Sequence, residues 1–130
     1  MTYLIDSSAL FELERGNKKT QEEAGKIFST SATPAFISFM TLAEFLVGTE
    51  SRSLENKAKL KAFLLQFDTL HTTNETALIL SKLKHDCDKK GLKKSLTDLF
   101  IAAQAIEHNL TLITKDSDFR NITELKKIIL

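Results

Sequence analysis

Five apolar runs of strand length alternate with stretches of helical periodicity along the chain, and that alternation limits the fold more than any other feature. The strand-like runs lie at 2–5, 35–38, 67–71, 110–114 and 125–130. The helical stretches lie at 8–15, 19–30, 40–50, 54–66, 74–90 and 97–108. Strands separated by helices need crossover connections, and crossovers join parallel neighbours. The expectation is an α/β fold, a mainly parallel sheet with helices on both faces. Gly16, Gly91 and Asn109 each follow a helical stretch, where a left-handed residue commonly closes the helix. Thr72-Thr73-Asn74-Glu75 and Ser95-Leu96-Thr97-Asp98 both match the capping-box pattern. No repeat, low-complexity tract or linker interrupts the 130 residues, so one domain over 1–130 is expected.

Carboxylates recur where these elements meet. Asp6 follows the first strand-like run, and Glu44 lies in the helical stretch after the second. Asp98 stands at the start of the last helical stretch, and Asp116 comes just after the run at 110–114. In an open α/β sheet the carboxyl ends of the strands share one edge, and ligands bind there. Carboxylates gathered on such an edge repel one another, and a hard dication relieves that repulsion. Oxygen donors alone point to Mg²⁺ or Mn²⁺, the ions of many phosphodiester hydrolases. Each residue also has a plainer reading. Asp6 and Asp98 suit helix caps, Glu44 suits a solvated helix face, and Asp116 with Asp118 suits a turn.

Other chemistries lack their residues. The four glycines stand too far apart for a phosphate-cradling loop. One cysteine, Cys87, makes neither a disulfide nor a zinc pair, and His71, His85 and His108 have no ligand spacing. Lys plus Arg is 18 and Asp plus Glu is 17, a net charge of +1. Any polyanion must therefore be held by a local patch. Lys89, Lys90, Lys93 and Lys94, around Gly91 and shortly before Asp98, form either a solvated helix end that suits the dipole or a phosphate-contacting rim; Lys18 and Lys19 extend that rim weakly. No apolar stretch reaches membrane-spanning length, and the N-terminus leaves no room for a secretory leader. A cytoplasmic setting is expected, and a single cysteine agrees with a reducing one.

The ordered segments Ile5-Asp6-Ser7-Ser8-Ala9-Leu10, Thr41-Leu42-Ala43-Glu44-Phe45-Leu46-Val47-Gly48 and Ser95 to Ala105, with Leu110 to Phe119, cover nearly the whole chain. In this order and spacing the chain resembles the PIN-domain nucleases, most closely the VapC toxins of prokaryotic toxin–antitoxin pairs. The resemblance implies a five-stranded parallel sheet in the order 3-2-1-4-5. It also implies a Mg²⁺- or Mn²⁺-dependent endoribonuclease with Asp6, Glu44, Asp98 and Asp116 as the catalytic and metal-site carboxylates. Ser7 and Thr114 match supporting hydroxyls, and Asp118 either binds metal or caps the next turn. A cognate antitoxin and a homodimer are further implications. Leu54, Ala58, Phe63 and Leu64 on the stretch 54–66 are candidates for a partner groove, or else pack on the chain's own core. The crowded Leu10, Phe11 and Leu13 suggest exposed apolar surface near the N-terminus.

Four rivals stand beside that reading. A PIN nuclease of RNA processing and a catalytically inactive PIN-fold binding module share the fold. A phosphoacceptor receiver domain or an Asp-x-Asp phosphatase needs acidic residues where this chain has Ser7, Ser8 and His71-Thr72-Thr73.

Overall fold

A computed structural model describes residues 1–130. The chain runs β1 (Tyr3–Ile5), α1 (Ser7–Glu14), α2 (Lys18–Phe28), β2 (Phe36–Ser38), α3 (Phe39–Thr49), α4 (Leu54–Leu64), β3 (Asp68–Leu70), α5 (Asn74–Lys89), α6 (Leu96–Glu107), β4 (Thr111–Thr114) and β5 (Lys127–Ile129). A 3₁₀ turn, Ser117–Asn121, lies between the last two strands. All four strand pairings are parallel, and the order is β3-β2-β1-β4-β5. Both the parallel sheet and its strand order match the expectations.

Alternation along the central strands divides the core in two, because successive strand residues point to opposite faces. Leu4 and Leu112 join Leu83, Leu99, Ala102 and Phe119 on the face covered by α5 and α6. Tyr3, Ile5 and Ile113 join Ala9, Leu10, Ile37 and Phe45 on the face covered by α1, α3 and α4. Register keeps the phases matched: Leu4 pairs with Leu112 and Ile5 with Ile113. A one-residue slip would turn both strands inside out.

Each helix opens on a side-chain cap, from Asp6, Asn17, Ser38, Ser53, Thr73 and Ser95. Gly16, Gly91 and Asn109 take positive φ after α1, α5 and α6, as their positions suggest. Three expectations need correction. The capping box of α5 lies one residue later than the pattern placed it, pairing Thr73 with the Thr76 hydroxyl, and Glu75 is exposed. Thr76 wins because it is buried and can reach Glu107 as well. At α6 only the forward half forms, with the Asp98 N–H donating to the Ser95 hydroxyl at 3.1 Å. The N-terminal apolar crowding is core, not surface. Leu10 is fully buried, and Phe11 stacks on Phe45 with ring centroids 4.6 Å apart.

Exposed apolar side chains lie elsewhere. Phe39, Leu46 and Val47 are exposed on α3, Leu54 opens α4, and Leu65 follows it. Of the four candidates on α4, Phe63 and Leu64 pack on the core while Leu54 and Ala58 face solvent. No helix is long and apolar enough to cross a membrane.

Candidate active site at the carboxyl edge of the sheet

β1 ends at Ile5, so Asp6 emerges at the carboxyl edge and caps α1. Its Oδ1 accepts the Ala9 N–H at 3.0 Å and the Ser8 hydroxyl at 2.7 Å. Its Oδ2 accepts the Thr114 hydroxyl from the end of neighbouring β4. Only 4% of Asp6 is exposed, which is rare for a carboxylate lacking a cationic partner. Burial pushes its pKa above the ordinary range, and the Asp116 charge adds to that. The bonds from Ala9, Thr114 and Ser8 oppose the rise without cancelling it.

β4 delivers Asp116 to the same edge. The Asp116 N–H donates to Thr114 Oγ1 at 2.9 Å, and Asp116 Oδ1 accepts the Asp118 N–H at 2.9 Å. Asp116 is therefore the cap of the 3₁₀ turn, a role that had been left open for Asp118. Asp118 is exposed, and its backbone carbonyl accepts Lys94 Nζ.

α6 runs from this edge towards the start of β4, so its first turn faces the site. Asp98, the third residue of α6, sits half-buried with a raised pKa. Burial is the largest cause, the charges of Asp116 and Asp118 add to it, and Ser95 and Lys94 oppose it. Asp116 thus acts on both Asp6 and Asp98, and all three belong to one electrostatic group.

Glu44 reaches the same rim from α3. The Ser7 hydroxyl donates to Glu44 Oε1 at 3.0 Å and lies 3.3 Å from Thr41 Oγ1. Glu44 is exposed, as its plainer reading had it, yet it is tethered beside Asp6. Among the candidate lysines, Lys94 is the one whose charge acts on Asp98. Lys89, Lys90 and Lys93 lie exposed at the end of α5 and in the loop after it, and Lys19 pairs with Glu23 on α2.

Ser8 was not singled out by the sequence. Its Oγ accepts the Lys115 N–H at 3.0 Å while donating to Asp6, so it ties β1 to the loop after β4. A hydroxyl two residues after a capping aspartate was the one local signal.

These donors fit a hard divalent cation in kind, since all are oxygens, and in charge, since burial above all, with a smaller share from neighbouring carboxylates, already disfavours the charged forms of Asp6 and Asp98. They stand within electrostatic reach and not in contact, and no three Asp, Glu, His or Cys side chains converge on one ion position. Asp6, with three donors, is the fixed member of the group. Asp98 and Asp116 are each held by fewer bonds.

Comparison with known proteins agrees with the fold. The PIN-domain family model matches residues 3–125. Ribonuclease VapC1 of Rickettsia felis is 30% identical over 132 residues, covering 97% of this chain and 94% of that protein. Ribonuclease VapC of Rickettsia bellii matches with the same identity and coverage. Among solved structures, VapBC2 from Rickettsia felis bound to a promoter DNA fragment superposes with a TM-score of 0.87 at 23% identity, over 100% of this chain and 99% of that one. VapBC-1 from nontypeable Haemophilus influenzae gives a TM-score of 0.82 at 24% identity, over 99% and 98%. At those identities the structural likeness speaks for the fold.

Proposed function

The chain belongs to the PIN-domain family, among its VapC ribonucleases, and from that premise we propose that it is a metal-dependent endoribonuclease, the toxin of a toxin–antitoxin pair, acting as one domain over 1–130. The observation that carries the reading is the electrostatic group of Asp6, Asp98 and Asp116 at the carboxyl edge of the sheet. Asp6, Asp98 and Asp116 would hold Mg²⁺ or Mn²⁺, with Glu44 at the rim. When bound, such an ion makes water a better nucleophile and offsets charge on the phosphodiester oxygens. Thr114 and Ser8 orient Asp6, and Ser7 orients Glu44. In this reading Glu44, exposed and tethered by Ser7, would accept a proton from the attacking water. Lys94, with Lys93, Lys89 and Lys90 further out, supplies positive charge for the RNA backbone on the α5–α6 side.

Two surfaces support the partners in this reading. A cleft of about 790 Å³, lined by Leu13, Phe28, Phe63 and Phe67 together with the polar Glu14, Gln21 and Gln66, is the candidate seat for an antitoxin segment. The exposed stripe Phe39, Leu46 and Val47 on α3 is the candidate homodimer face. A cytoplasmic setting belongs to the reading too, and one buried free thiol, Cys87, fits it.

The test is incubation with total RNA and Mg²⁺ or Mn²⁺, followed by mapping of the cut ends. Cleavage should disappear in EDTA and in Asp98→Asn. Cutting that persists undiminished in both controls would end the metal-dependent reading. Growth arrest on induced expression, relieved by the neighbouring gene, separates a toxin from an RNA-processing enzyme.

A further inference from the structure

Two hydroxyls join Asp6 to the loop after β4, and their protons can be counted. Ser8 has one proton, given to Asp6 Oδ1 at 2.7 Å; Thr114 has one, given to Asp6 Oδ2. The two hydroxyl oxygens lie 3.3 Å apart with no proton left for each other. Each accepts a backbone N–H instead: Ser8 from Lys115 at 3.0 Å, Thr114 from Asp116 at 2.9 Å. The backbone that carries Asp116 is thereby held against Asp6 by two parallel arms. Lys115 is pinned a second time, its Nζ donating to the buried Thr20 hydroxyl at 3.2 Å.

The acceptor count is uneven. A carboxylate oxygen has two in-plane lone pairs. Oδ1 already takes two donors, the Ala9 N–H and the Ser8 hydroxyl. Oδ2 takes one, from Thr114. We propose that Ser8 is a positioning residue that saturates Asp6 Oδ1 and leaves Oδ2 as the single oxygen through which Asp6 takes a divalent cation, so that the site favours Mg²⁺ over Ca²⁺. The inference rests on the metal-dependent reading above and adds to it a determinant of ion choice. Mg²⁺ demands near-ideal octahedral geometry, which a one-oxygen carboxylate ligand suits. Ca²⁺ accepts carboxylates through one oxygen or two in a looser shell. Removing the Ser8 hydroxyl frees a lone pair on Oδ1, allows two-oxygen binding, and also releases the Lys115 N–H.

Calorimetric titration of the full chain with Mg²⁺ and with Ca²⁺ tests this in wild type, Ser8→Ala and Ser8→Thr, with thermal melts in EDTA to verify folding. In Ser8→Ala the Mg²⁺ affinity should fall about 10- to 100-fold, as for other residues that orient a metal ligand. Ca²⁺ affinity should fall less, so the Mg²⁺ to Ca²⁺ preference shrinks. Ser8→Thr, which keeps the hydroxyl, should restore the wild-type preference. A merely structural role would lower the melting temperature and leave the preference unmoved; that result in a folded Ser8→Ala overturns the inference and spares the metal site. Absence of binding of either ion by the wild-type protein, checked with Mn²⁺ by electron paramagnetic resonance, overturns both. Should Ser8→Ala not fold, Ser8→Cys, similar in shape and a much weaker donor, carries the same comparison.

Discussion

Asp98 sets two demands against each other. It stands in the first turn of α6, where a carboxylate favours the helix dipole, yet burial and the charges of Asp116 and Asp118 raise its pKa. A raised folded pKa means the native state holds its proton more tightly than the unfolded chain. The associated stability is fully present below the unfolded value, near 3.8, and is lost as pH rises through the folded one. At neutral pH and without metal, the Asp98 charge is therefore a cost. Asp98→Asn should melt above wild type at pH 7 in EDTA, by about 1 kcal/mol or less because the group is partly exposed. The gain should shrink towards pH 3, and cleavage should vanish. A lower melting temperature at pH 7 would count against the repulsion. Ser7→Ala makes the complementary case: its bond to Glu44 is exposed, so stability should change by no more than about 0.5 kcal/mol. RNA cleavage should nonetheless fall, because Glu44 loses its tether; an unchanged rate would remove Glu44 positioning from the mechanism. Asp6, Asp98 and Asp116 were legible because each stands where an apolar run ends or a helix begins; Glu44, midway along α3, carries no such mark. Ser8 was not legible, since its partners Thr114 and Lys115 lie more than a hundred residues away and no local pattern encodes that meeting.

The α5–α6 hairpin is the element that brings Asp98 and Lys94 to the sheet edge. Its closing turn depends on Gly91, at φ +69°, where a side chain strains the backbone although the space around it is open. Gly91→Ala should cost about 1–2 kcal/mol from that strain alone. Urea denaturation should show a lower midpoint with an unchanged slope, and an unshifted midpoint would mean that the turn relaxes freely. At the other end of the hairpin, Glu107 accepts the Thr73 and Thr76 hydroxyls, joining the end of α6 to the start of α5. Element types and approximate limits were legible throughout, because strand-length apolar runs and helical periods are local properties. The cap of α5 was misplaced by one residue because two adjacent threonines offer the same hydroxyl. Burial of Thr76 against α6 decides between them, and that is a tertiary fact. The apolar crowding of Leu10, Phe11 and Leu13 misled for a similar reason: local density does not say which side Phe45 approaches from.

Over the whole molecule, periodicity implied a parallel sheet but not which strand lies beside which; the order 3-2-1-4-5 came from family resemblance alone. That order puts β1 between β2 and β4, and so brings Asp6 beside both Ser38 and Thr114. The charge gathered there should dominate the coupling between pH, metal and stability. Asp6 and Asp98 both lose stabilising influence as pH rises through their raised pKa values. Glu107 works in the opposite sense. Burial raises its pKa, but the Thr73 and Thr76 hydroxyls and His108 outweigh that and hold it below the ordinary range, so its contribution is lost as pH falls. The raw pH–stability curve therefore mixes both signs, and the informative quantity is the difference between melts with and without Mg²⁺. Glu107 cancels in that difference, because it lies at the far end of α6 from the carboxylates. At a Mg²⁺ concentration of about 100 times its Kd, the stabilisation should be about 2.7 kcal/mol at neutral pH. It should fade as the carboxylates take up protons, being nearly gone below the unfolded pKa of 3.8. Asp98→Asn should blunt it at every pH. A cation effect that persisted undiminished at pH 3 would place the ion on some other group and separate metal binding from the Asp6–Asp98–Asp116 edge.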